Sequence, residues 1–83
     1  MQMYCVYDRV AGEASAPFLQ KNDDCARRAF VKLMRETGMA GCDDFELVFI
    51  GTFNSSTMDV VYDEHFCIML SKDVEKVVEE KSS

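Results

Sequence analysis

The chain has 83 residues, 48% hydrophobic and 29% charged, with 15 acidic and 9 basic residues for a net charge of −6. That length caps it at one domain, residues 1–83, and that hydrophobic share excludes a disordered chain. The acidic balance excludes a general nucleic-acid or membrane coat, which would be basic, and no apolar run reaches the roughly 20 residues needed to span a bilayer.

Residues 3–10 begin Met-Tyr-Cys-Val-Tyr and predict a strand. The small and polar residues 11–16 predict a turn or loop. Pro17-Phe18-Leu19-Gln20 predicts a short extended segment, with proline suited to a strand entry or an edge. The short connection makes these two segments an antiparallel hairpin. Asn22-Asp23-Asp24 then opens a helix: Asn and Asp side chains accept orphan backbone N–H groups, and the acids suit the positive end of the dipole. Ala26, Ala29, Phe30, Leu33 and Met34 follow at i, i+3, i+4, i+7 and i+8, an amphipathic stripe that Gly38 ends as a left-handed C′ residue.

Residues 39–43 predict a loop and 44–50 the strongest strand. Gly51 is expected to be a bulge or kink, and Asn54-Ser55-Ser56-Thr57 a turn. Residues 58–62 return as the second strand of another hairpin, and 65–70 fit either strand or helix. Ser71 is expected to cap a last helix with Val74, Val77 and Val78 on one side, and residues 79–83 to fray. The whole reads as α+β: two hairpins in the order β-β-α-β-β, one amphipathic helix on a face of an antiparallel sheet, and a short C-terminal helix. Its core is expected to hold Val6, Phe30, Leu33, Leu47 and Phe49.

The start lacks the charged flank and apolar stretch of a signal peptide, so a cytoplasmic protein is expected. The cysteines at 5, 25, 42 and 67 are then reduced, and except for Cys42 they sit inside apolar segments as small hydrophobes. No CxxC or HxxxH pair exists and His65 is the single histidine, so no metal is expected. His65, flanked by Asp63 and Glu64 and two residues from Cys67, has the residue types of a nucleophile and its base but only strand periodicity to join them. It reads as a half-exposed strand end. No glycine-rich phosphate loop occurs, and neither enzyme nor cofactor is expected.

Two surfaces remain. Strand 44–50 presents Phe45, Leu47 and Phe49 on one face and Glu46, Val48 and Ile50 on the other, while Met3, Cys5 and Tyr7 oppose Tyr4 and Val6. One helix covers one face, so the tail helix is expected to cover some of the other and a partner subunit the rest, most simply as a two-fold dimer. Aromatic residues on a sheet are also able to stack bases, although six of the nine here are phenylalanines, five of them in apolar runs that suit a core. The helix carries Arg27, Arg28, Lys32 and Arg35, four of the nine basic residues. This stripe is either a solvated helix face or a phosphate-binding one.

The run Tyr4-x-Val6-Tyr7-Asp8, Pro17-Phe18, Asn22-Asp23-x-x-Ala26-x-Arg28-Ala29-Phe30 and Asp44-Phe45-Glu46-Leu47-x-x-Ile50-Gly51-x-Phe53 resembles the small nonstructural protein of gokushoviruses, single-stranded DNA phages of the Microviridae. The resemblance covers about two thirds of the chain. From Asn54 it departs, because family members often carry a proline-rich segment there and this chain has only Pro17. The resemblance implies a non-capsid, DNA-binding or replication-associated protein made in an infected bacterium. It brings no catalytic residues, and Arg28 is the one matched residue with phosphate chemistry. Two functions follow as expectations. One is an accessory of genome replication that touches single-stranded DNA through the helix stripe and nearby exposed aromatics. The other is an acidic adaptor that binds the phage replication initiator or a host replication factor in the host cytoplasm.

Overall fold

A computed structural model describes residues 1–75. Its elements are β1 (Gln2–Asp8), β2 (Glu13–Ala14), β3 (Phe18–Gln20), α1 (Asp23–Glu36), β4 (Phe45–Asn54), β5 (Asp59–Leu70) and a 3-10 turn at Ser71–Asp73. All strand pairs are antiparallel. β1 is central, with β2 and β3 sharing one of its edges, β4 on the other and β5 outermost. The class is α+β with one helix and an antiparallel sheet of five strands, one more than the two hairpins require.

The extra strand comes from residues 11–16, expected to be wholly loop. Glu13 and Ala14 pair with Asp8 and Tyr7, and Phe18–Gln20 pair with Tyr4, Met3 and Gln2. Between them Ser15 keeps the ladder satisfied: its amide donates to the Val6 carbonyl at 2.8 Å, and its hydroxyl accepts from the Val6 amide at 2.9 Å. Pro17, with no N–H to donate, follows where the pairing lapses.

α1 forms as its ends dictate. Asn22 Oδ1 accepts from the Cys25 amide at 2.9 Å. At the other end Gly38 takes φ +76°, its amide reaching the Arg35 carbonyl and the Met39 amide the Met34 carbonyl, a Schellman closure. Ala26, Phe30 and Met34 are buried against Tyr4, Val6, Leu47, Ala40 and Val74. Phe49 is half-buried against this cluster. Leu33 departs from expectation: it is 41% exposed. The contact line of the helix follows i, i+4, i+8 through Ala26, Phe30 and Met34, which leaves Leu33 on the flank facing the β1–β2 turn.

β5 is a single strand through Leu70, which settles residues 65–70 as extended. Against β4 its register shifts between Leu47 and Val48 and again between Phe49 and Gly51. Gly51 is where the backbones of β4 and β5 come too close for a side chain, since a Cβ there would run into the Val61 carbonyl and lie 3.0 Å from Tyr62 Cα. The expected C-terminal helix does not start at Ser71. Ser71–Asp73 is one 3-10 turn, and Val74 is back in extended conformation with its side chain in the core. Ser71 is committed elsewhere: its buried hydroxyl donates to the Cys42 carbonyl at 2.5 Å and accepts from the Phe45 amide at 3.1 Å. Val77, Val78 and residues 79–83 lie outside the described residues.

The second face of the sheet holds Met3, Cys5, Val48 and Ile50, with Tyr7 and Phe53 packed around them. These four are only 6–9% exposed within one chain. Among the described residues, Tyr7 and Phe53 shield part of this face.

Leu47→Ala is expected to cost about 2–5 kcal/mol and Leu33→Ala about 1 kcal/mol or less, read from thermal melts of the two variants. Tyr4 supplies a pH signature. Burial first, and then the Asp23 carboxylate that accepts its hydroxyl at 2.5 Å, push its phenol well above the ordinary value of 10.0. A raised folded pKa means that this stability is complete below pH 10 and lost as pH rises beyond it. Urea titrations are expected to show unfolding free energy falling above pH 10, with a shallower fall in Tyr4→Phe, itself destabilised by about 1 kcal/mol at neutral pH.

Candidate functional site

The basic residues of α1 do not act as one group. At about 100° per residue, Arg28, Lys32 and Arg35 fall within about 60° of one another and point directly away from the buried line Ala26–Phe30–Met34. Arg27 stands apart, its guanidinium 2.9 Å from Asp24 one turn earlier. Arg35 donates through Nε to the Glu75 carbonyl at 2.9 Å, tying the end of the described chain to the helix. Among the described residues no ion pair engages Arg28 or Lys32. Two cations without an ion pair among the described residues and one half-committed guanidinium thus make up the solvent-facing basic stripe.

The exposed aromatics are elsewhere. Tyr62 is 73% exposed and Phe66 63%, both on β5. Asp63, Glu64 and His65 lie between them, where the register with β4 shifts. Val60 and Val61, also exposed, precede them. This stretch breaks the two-residue period, so Asp63, His65 and Cys67 do not form the regular row that the sequence suggests. No lysine or arginine occurs between Arg35 and Lys72, so the β4–β5 hairpin carries acids alone. That gap in basic residues was the available sequence signal for a second surface. What hid it was the apolar character of residues 58–70, which reads as core.

Two hollows lie on the surface of the described residues. One, about 460 Å³, lies between the C-terminal half of α1 and the β1–β2 turn. Val6, Phe18, Leu33, Met34, Met39 and Phe45 line it, with Asp8 and Glu13 also present. The other, about 480 Å³, lies on the second face, with Cys5, Tyr7, Val48, Glu46, His65 and Cys67 among its lining residues. Cys5 and Cys67 both pair with Val48, from opposite sides, which sets them two strand spacings apart, about 10 Å and beyond disulfide reach. Burial pushes the Cys5 thiol up, and burial and then the neighbouring Glu46 push the Cys67 thiol up. Raised thiols stay protonated and are weak nucleophiles. Cys67 is nevertheless exposed as a residue, against its expected place as a buried hydrophobe, because it sits on the outermost strand. Among the described residues no cluster of three or more His, Cys, Asp or Glu is placed to hold a metal ion. No helix of the described residues is long and apolar enough to cross a membrane.

The architecture defines a small α+β protein whose cations line a helix and whose exposed aromatics lie on an acidic edge strand. The chain belongs to the Phage ORF5 protein family, whose model matches residues 1–74. It is thus a phage protein, and the match runs from β1 through the 3-10 turn. None of the curated proteins and none of the solved structures compared matches it.

Exposed Cys67 and half-buried Cys25 and Cys42 are expected to alkylate before buried Cys5. Timed iodoacetamide labelling with peptide mass spectrometry measures that order. Cys5 reacting as fast as Cys67 would contradict the burial of the second face.

Proposed function

We propose that the protein is a non-enzymatic accessory of genome replication in a single-stranded DNA phage, acting in the host cytoplasm by binding a protein partner. The phage replication initiator or a host replication factor is that partner. One observation carries this reading: Tyr62 and Phe66, the exposed aromatics able to stack on bases, flank Asp63 and Glu64 on a hairpin without a cation. Base stacking works beside a basic groove that tracks the phosphates. Acids between the rings repel the polyanion, and the net charge of −6 adds a long-range barrier at low salt. The same mixture of apolar and acidic groups suits a protein surface.

A second reading, weak single-stranded DNA binding, is favoured by the stripe of Arg28, Lys32 and Arg35 facing squarely into solvent. The two readings separate in one titration. With two or three phosphate contacts at roughly 0.7 each, binding of a labelled single-stranded oligonucleotide is expected to fall with a log–log salt slope of about −1.5 to −2. Arg28→Glu with Lys32→Glu is expected to abolish it while moving the melting temperature little, because both residues are exposed. Capture of the purified replication initiator is expected to survive those two substitutions. Tight, salt-insensitive DNA binding would place DNA contact first, whereas loss of initiator capture in the double variant would move the protein contact onto the helix stripe.

A further inference from the structure

We infer that the open edge of β5 binds an extended, lysine- or arginine-bearing segment of a partner protein, which adds to the sheet as a further antiparallel or parallel strand. The inference rests on the protein-contact reading above and names its surface.

Among the described residues β5 is the longest strand, twelve residues, and occupies the outer edge of the sheet. An edge strand presents unpaired backbone N–H and C=O groups, so what fits it is another strand. Proteins guard such an edge with lysine, proline, brevity, other charges or bulges. β5 has neither lysine nor proline and is long; its register shift and the acids Asp63 and Glu64 interrupt its middle, and what they leave unguarded is the Val60-Val61-Tyr62 segment, β-branched and aromatic with all three side chains exposed. Its polar residues are Asp59, Asp63, Glu64 and His65. Charge then selects among possible strands. A second copy of β5 would bring three more carboxylates to the same seam, and like charges directly opposite one another destabilise a ladder. A basic strand would set its cations against those acids and its apolar residues against Val60, Val61 and Tyr62. The shift in register around residues 63–65 divides the edge, so the partner segment engages Asp59–Tyr62 first, where pairing with β4 is regular.

The test uses two synthetic peptides, acetyl-KVTVKVTK-amide and acetyl-EVTVEVTE-amide, titrated into the ¹⁵N-labelled full chain. The basic peptide is expected to bind roughly tenfold tighter at low salt, with the difference shrinking as salt screens the charges. Its amide shifts are expected to concentrate in residues 59–70. The variant carrying Asp63→Lys and Glu64→Lys, both at exposed positions, is expected to reverse the preference. A spectrum otherwise superposable on the parent shows that this variant folds. Equal affinity of the two peptides, shifts centred on α1 or on the hollow beside Leu33, no binding by either peptide, or self-association of the chain through β5 in sedimentation equilibrium would each overturn the inference. Capture of the initiator unchanged in the Asp63→Lys, Glu64→Lys variant would remove the β5 inference while leaving the protein-contact reading in place. Loss of capture by the parent chain would remove the reading itself.

Discussion

The fold depends on how Tyr4 is placed. Its ring, with no exposed surface, lies 6.0 Å from Phe18 of β3 and 5.8 Å from Phe49 of β4, and its hydroxyl bonds Asp23 in the first turn of α1. One side chain on the central strand thereby touches β3, β4 and the helix. The arrangement needs an aromatic body for the apolar layer and a polar tip at its margin, which is what tyrosine provides. The bond to Asp23 fixes the azimuth of α1 at its N-terminus. At the other end the Schellman closure around Gly38 turns the chain back toward β4. With both ends set, Phe30 and Met34 face Val6 and Leu47, and Arg28, Lys32 and Arg35 face solvent.

Those constraints explain what was legible in the sequence. α1 was readable because its caps are local: Asn22, the acids after it and Gly38 act within a few residues. The strands of both hairpins were readable from their apolar runs and the Asn54 turn, where Asn54 Oδ1 receives the Ser56 and Thr57 amides at 2.9 and 3.3 Å. The departures are long-range. Ser71 looked like a helix cap, yet its hydroxyl is taken by Cys42 and Phe45, far away in sequence, and this ends β5 in a single 3-10 turn. Leu33 sits on the apolar stripe, but which edge of a stripe is covered depends on the tilt that Tyr4 and Asp23 impose, and no periodicity encodes that.

The candidate site was half legible for a related reason. Charge at helical spacing is visible in sequence, so the stripe was found, and its solvent-facing geometry follows from the core line. Pairing is not visible: that Asp24 occupies Arg27 and the Glu75 carbonyl occupies Arg35 emerges only in three dimensions. Exposure of Tyr62 and Phe66 was hidden because a strand at the outer edge has the same composition as a strand in the middle. Its position follows from the topology, in which β1 is claimed on one side by β2 and β3 and on the other by β4.

That topology also separates the charges. The sheet grows outward from β1, so its last strand lies farthest from the short strands that lead into the helix. A chain with cations from Arg27 to Arg35 and none again until Lys72 must then place its basic and acidic surfaces on different elements. Such a molecule is a poor uniform binder of polyanions, since any approach that favours α1 brings β5 within the reach of its own repulsion at low salt. It is better suited to two contacts of opposite sign. A basic partner held at β5 would neutralise Asp59, Asp63 and Glu64 and weaken the long-range barrier to phosphate at Arg28 and Lys32. In that arrangement the proposed contacts with DNA and with a protein would be linked equilibria, each raising the affinity of the other by the same factor.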